Sequence, residues 1–204
     1  MFKWPEKFGT ESLGWHTIAG VHGEHVTNYL TRIYCGRLRL HIFHRGDNDP
    51  DPHDHPWDFW TFPLTPYVEE VVTWSSSKMA LAKVLGKDNE GGFTRHRQVV
   101  PAFRLTYRPA THTHRVIGRY APYKRSDGHA LIGLDVIADP NAPLDLTAVP
   151  ATDDGKVITL VWLGSQRRKW GFLKNRDGQW CWIAWREYVF GGGKHTPCEP
   201  MDLE

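Results

Sequence analysis

RLRLHIFHRGDNDPDPHDHPWDFWTFPLTPYVEE, residues 37–70, carries most of what decides the architecture of this chain. Its first eight residues alternate with period two. Leu38, Leu40 and Ile42 fall on one face and Arg37, Arg39 and His41 on the other, the pattern of a β-strand. GDNDPDP interrupts with turn chemistry, the aromatic run 59–64 resumes the extended pattern, and Thr65-Pro66 folds it back into 67–74 as a hairpin.

The same rhythm extends along the chain. Further β-branched or aromatic runs occupy 78–85, 97–107, 114–118, 130–137, 157–163 and 180–190, divided by GKDNEGG, RSDG, DPNAP, TDDG and NRDGQ. Short strands with tight turns predict an all-β sandwich or barrel. The first thirty or so residues lack this rhythm and are expected to form an irregular arm with one short helix. Residues 138–155 read as a long loop and the last dozen as a loosely held tail. A single domain is the economical organisation.

Composition narrows the function classes. The chain has 204 residues, enough for one domain with a substantial core. A formal net charge of +2 argues against nucleic acid or an anionic membrane as the main partner. The basic cluster 167–169 beside Trp170 is too small to reverse that. No apolar run approaches a membrane span and no leader-like segment opens the chain, so a cytoplasmic protein is expected. Cys35, Cys181 and Cys198 are odd in number and far apart, which supports neither a disulfide framework nor a cysteine zinc site. Cys35 and Cys181 read as buried small hydrophobes.

Twelve histidines are the chemically informative feature, because imidazole is the commonest protein ligand of transition metals. His53 and His55 are two apart, so on a strand both rings leave the same face. His112 and His114 repeat the spacing. Two such strands side by side present three or four imidazoles to one point, which suits a divalent ion with nitrogen preference.

In these segments the chain resembles the cupin superfamily. The first motif of that superfamily is similar to Gly46, a spacer one residue longer than usual, His53-Asp54-His55 and then Asp58 near the glutamate position. The second is similar to Pro109-Ala110-Thr111-His112-Thr113-His114, with Thr111 in place of the usual glycine. A narrower group of bacterial and phage cupin-like proteins is similar at HDHPWDFWTFPL, at HRV and at RRKWGF…WCWIAWREY.

The resemblance implies a single cupin-type β-barrel, a double-stranded β-helix or jelly roll, over residues 37–190. An N-terminal arm over 1–36 and a C-terminal tail over 191–204 flank it. It implies one divalent transition metal, iron, manganese, nickel or zinc, on His53, His55 and His114, with Asp58 as a fourth candidate ligand. Glu69 and Glu70, beyond the hairpin, are alternative carboxylates.

The implied function is a metal-dependent enzyme acting on a small polar molecule, either oxygenase-like or an isomerase, lyase or hydrolase that polarises a carbonyl. Proton transfer then falls to Asp58, Glu69, Glu70 or a metal-bound water. Candidate substrate contacts are His41, Trp60 and Arg104, the last because its strand parity with Thr106 and Arg108 would suit a carboxylate or phosphate. Each has a plain alternative: a strand histidine, a core tryptophan, a solvated arginine. The alternatives for the whole chain are a small-ligand-binding module with a structural or vestigial metal, and an assembly protein. A homodimer is the arrangement the superfamily implies.

Overall fold

A computed structural model of the chain describes residues 13–84, 92–121, 123–124, 130–131, 149, 151–152 and 154–198. Within it two antiparallel sheets curl around one interior as a jelly-roll β-barrel, in keeping with the strand-and-turn rhythm. The first sheet has the order β1 (Leu13–His22), β2 (His25–Cys35), β3 (Leu38–Phe43), β12 (Val157–Gln166), β4 (Trp57–Pro63) and β7 (Thr106–Arg108). The second runs β11 (Ala151–Thr152), β8 (Thr113–Tyr120), β5 (Tyr67–Trp74) and β6 (Phe93–Val100). The hairpin of β13 (Gly171–Arg176) and β14 (Gln179–Ala184) joins it through His53, which bridges to His114 on one side and Phe172 on the other. Two short strands, β9 (Tyr123–Lys124) and β10 (Ala130–Leu131), pair with each other.

Local chemistry accounts for the turns. Asp177 and Gly178, between β13 and β14, both have positive φ, the two-residue Asp-Gly turn whose twist matches that of its strands. Alternation then places Leu30, Phe43, Tyr67, Val100, Val116 and Val157 in one buried cluster between the sheets. The opposite face of the first sheet is less covered. Leu38, Trp162, Trp60 and Tyr107 stand opposite one another across four strands, each partly exposed.

Several expectations are corrected. Residues 13–35 are no irregular arm: they form the hairpin of β1 and β2, whose Val26, Thr27, Tyr29, Thr31, Ile33 and Tyr34 are strand-forming residues. The run 78–85 falls largely in a helix, α1 (Ser76–Val84), because Met79, Ala80, Leu81 and Ala82 favour helix and the Ser75 hydroxyl accepts the Lys78 N–H at 3.5 Å. The run 97–107 is two strands parted by a turn at 101–105. The run 180–190 is the end of β14 followed by a second helix, α2 (Trp185–Phe190).

The C-terminal segment is held rather than loose over 191–198. Cys181 and Cys198 form a disulfide, their Cα atoms 5.4 Å apart, so Cys181 is no free thiol and Cys35 is exposed rather than buried. The fully buried Lys174 donates to the carbonyl oxygens of Gly193 and Thr196, the latter at 2.8 Å. Most of 130–137, almost all of 138–155 before residue 154, and residues 1–12 and 199–204 lie outside the described residues. No helix among the described residues is long and apolar enough to cross a membrane.

Candidate metal centre

The linker between β3 and β4 is built as a short strand where it passes residues 52–55. The backbone N–H of His53 donates to the His114 carbonyl and that of His114 to the His53 carbonyl, each at 3.0 Å. On the other flank Asp54 N–H donates to Gly171 O at 3.0 Å and Leu173 N–H to Pro52 O at 2.9 Å. The segment therefore ties β8 to β13, and strand alternation sets its side chains.

Asp54 points away from the interior. Its carboxylate accepts the Gly171 N–H at 2.7 Å and the Trp182 indole N–H at 3.0 Å, and Arg168 lies 2.9 Å away. Burial pushes this carboxyl up, while those donors act in the other direction. His53 and His55, on the opposite face, turn inward beside His114.

The three imidazoles meet on the wall of the cavity. Ring centroids stand 5.3 Å apart for His53–His55, 5.6 Å for His53–His114 and 5.1 Å for His55–His114. One nitrogen from each lies within 4.8 Å of the others, and the Nε2 atoms of His55 and His114 are 3.0 Å apart. Two nitrogens sharing one ion at ordinary bond lengths stand roughly 3.0–3.4 Å apart. The His55–His114 spacing fits a small divalent cation, with His53 close enough to supply a third nitrogen.

Glu69 fixes the proton on His114. Its Oε2 lies 2.8 Å from His114 Nδ1, and a carboxylate can only accept there, so Nδ1 carries hydrogen and the Nε2 lone pair faces His55. The carboxylate is fully buried; its Oε1 takes the Arg108 guanidinium at 2.7 Å and the Gln98 amide at 2.6 Å. Burial alone would raise this carboxyl, but His112, His114 and Arg108 outweigh it and hold it well below the usual range.

A second cluster, Glu69, His112 and His114, also gathers potential donor atoms within 4.8 Å. Arg108 sits inside it, 3.1 Å from His112 Nε2. The fixed cation and the donors already on Glu69 leave that cluster poorly suited to another positive charge.

His53 and His55 are held toward their neutral forms. Burial, then the charges of His114 and Arg32, depress His53 to about 3. Burial and the neighbouring histidines push His55 well below its ordinary value. Neutral rings are what a metal requires.

The cavity they face occupies about 620 Å³ and is lined from both sheets, by Leu30, Phe43, Phe59, Val116 and Phe172 among others. It reaches the surface beside Val189 and Phe190 of α2, both substantially exposed.

The remaining sequence candidates are dispersed. His41 lines the cavity, its ring edge-on to Phe43 at 6.1 Å. Asp58 does not reach the histidines: on β4 the inward parity belongs to Trp57, Phe59 and Thr61, and Asp58 instead accepts the Ala110 N–H at 2.8 Å, with Arg167 at 3.3 Å. Glu70 is turned away from Glu69 by alternation and is engaged by Arg115 at 2.8 Å, Arg95 at 3.4 Å and Arg97 at 3.8 Å. Trp60 is on the outer face, packed on Tyr107. Arg104 is exposed because β7 begins only at Thr106; the inward arginine of that parity is Arg108. Arg108 was thus legible by parity, whereas Arg32, which lines the cavity, lies in the stretch expected to be an arm.

No family model and no curated protein matches this chain. Among solved structures, the hydroxypropylphosphonic acid epoxidase from S. wedmorenis is similar at a TM-score of 0.35 and 8% identity, covering 67% of this chain and 51% of that one. An Fe(II) form of HppE gives 0.38 and 8%, with 80% and 60% covered. Drosophila melanogaster CENP-C bound to CAL1 gives 0.35 and 4%, with 72% and 81% covered. This chain thus spans about half to three fifths of those epoxidase chains. Likeness at this level assigns neither a family nor an activity.

Proposed function

We propose that the barrel holds one divalent transition metal on His53, His55 and His114 and acts as a metal-dependent enzyme on a small molecule bound in the interior cavity. The observation that carries this reading is the Glu69–His114 pair. A buried carboxylate that fixes Nδ1–H while Nε2 faces two neutral imidazoles is the arrangement by which proteins orient a metal-binding histidine.

Three protein ligands leave positions open for a substrate, and a metal so bound supplies Lewis acidity or, with iron, a redox centre. The chain's own residues supply the rest. The apolar walls exclude water, His114 is locked by Glu69, and Asp47, a cavity carboxyl pushed up to about 6 chiefly by burial, is poised to carry a proton near neutral pH.

A second reading is a binding module without turnover. It is favoured by the scarcity of free acid–base groups: both cavity carboxylates are engaged, Asp47 with Tyr29 and Asp49 with Tyr188 and Lys194.

Elemental analysis and cobalt(II) titration of the full chain test the metal. We expect one equivalent, lost in His55→Ala with the far-ultraviolet circular dichroism retained. Failure of the wild-type protein to take up any divalent ion would refute the reading. A metabolite screen with and without metal separates catalysis from binding, since a binder retains its ligand unchanged.

A further inference from the structure

Arg32 sits on the inner face of β2, directly opposite His16 on β1 and His41 on β3, and its side chain lines the cavity. Its Nε is buried and has no hydrogen-bond partner among the described residues. Burial works against its charge first, Tyr29 favours it and a second cation, Arg39, opposes it, and among the described residues it forms no ion pair with a carboxylate.

Its neighbours do not neutralise it. Burial, then the charges of Arg32, Arg39 and His16, drive His41 toward its neutral form. Arg39 itself is turned to the carbonyl oxygens of Gly36 and Leu38 and lies over the Tyr34 ring at 5.1 Å. The two cavity carboxylates are held by Tyr29 and Tyr188 as described above.

A half-buried guanidinium whose Nε is sealed from solvent, on the wall of a largely apolar cavity and without a counter-charge among the described residues, is costly unless something that binds there supplies one. The guanidinium fork matches the paired oxygens of a carboxylate or a phosphorus oxyanion. Arg32 is also near enough for its charge to act, after burial and the neighbouring histidines, on both His53 and His55, so it looks across the same space as they do. Ile18, Leu30, Phe43, Phe59 and Val161 supply apolar wall to the same cavity.

We infer that the cavity takes an amphiphilic organic anion whose carboxylate or phosphonate group pairs with Arg32 while its apolar body lies against these walls. The inference rests on the proposed function for what happens at the ligand's other end, which faces the histidines.

The test uses the full-length protein, with and without cobalt(II), and three probes of one shape: 3-phenylpropionate, 2-phenylethylphosphonate and the uncharged 3-phenylpropionamide. Isothermal titration should show at least one oxyanion binding tenfold or more tighter than the amide; the better of the two tells a planar from a tetrahedral head group. Arg32→Met should abolish that preference and leave cobalt uptake unchanged. Without probe it should melt at a higher temperature than the wild type, because a half-buried charge lacking a counter-charge has been removed. Arg32→Lys should keep part of the preference. Equal binding of amide and oxyanion, no binding of any probe, or an Arg32→Met protein that melts lower or keeps the preference would each overturn the inference. If the wild type shows the oxyanion preference but takes up no cobalt, the metal reading falls and this one stands.

Discussion

Glu69 shows how one buried residue sets the chemistry of another. It lies at the meeting point of Gln98, Arg108 and His114, and only the last contact concerns a candidate metal. Glu69→Gln keeps the shape but removes the charge and offers an amide that can present either N–H or C=O to Nδ1. The His114 tautomer is then no longer imposed, and metal affinity should fall by about 10- to 100-fold, the usual cost of losing such a partner. The same change strands the Arg108 guanidinium, which is itself buried, so stability should drop by about 3 kcal/mol. Cobalt titration and urea unfolding measure the two effects separately. Arg108→Met in the same background should recover stability without recovering affinity, and recovery of both would mean that Glu69 acts on the fold alone.

At the scale of elements, strand alternation was the most legible feature and helix or turn boundaries the least. The spacing His53-x-His55 predicts a shared face. That face exists because Asp54, pointing the other way, is gripped by Gly171, Trp182 and Arg168 from β13, β14 and the turn before them, contacts with no local signature. Arg104 was placed by a parity that ran past the start of its strand, and Asp58 by a motif spacing that ignored which face it occupied. The hairpin β1–β2 was less legible although many of its residues favour strand, because Gly14, Gly20 and Asn28 are poor strand formers that break its rhythm. The disulfide was illegible for a plainer reason: three cysteines do not say which two meet until β14 and the C-terminal segment are folded together. It closes a loop of 17 residues, and loop-closure entropy assigns such a link about 3 kcal/mol. Cys198→Ser should lower urea stability by about that amount while leaving cobalt uptake intact, since β13 retains its bridge to His53 through Phe172. Loss of metal binding on reduction would instead make the clip part of the site.

Across the whole molecule, the burial of several imidazoles in one barrel couples folding to pH. His41 and His55 lie well below their ordinary range, His53 is at about 3 and His112 at about 4, burial being the first cause for each. In the unfolded chain these rings titrate near 6.5. Between about 6.5 and their folded values the unfolded state therefore binds more protons, and stability falls as pH falls through that window. Glu69 adds to the loss further down, since its folded carboxyl is held below the unfolded range and its contribution goes as acid protonates it. Asp47 opposes them. Raised to about 6, it keeps a proton in the fold that the unfolded chain has released above about 4, so it favours the folded state on acidification through that interval. Asp54, also raised, acts in the same direction as Asp47. Five histidines, His44 being lowered as well, against two carboxylates leave the histidines in control around pH 5. The metal-free protein should accordingly show a urea midpoint that declines steadily from pH 7 to pH 5, and His112→Gln should make that decline shallower. A bound metal must make it steeper, because protons and metal then compete for the same nitrogens. A midpoint that held level or rose over this range would show that the buried rings are hydrated or already protonated in the fold, and the neutral state of His53 and His55 would have to be abandoned.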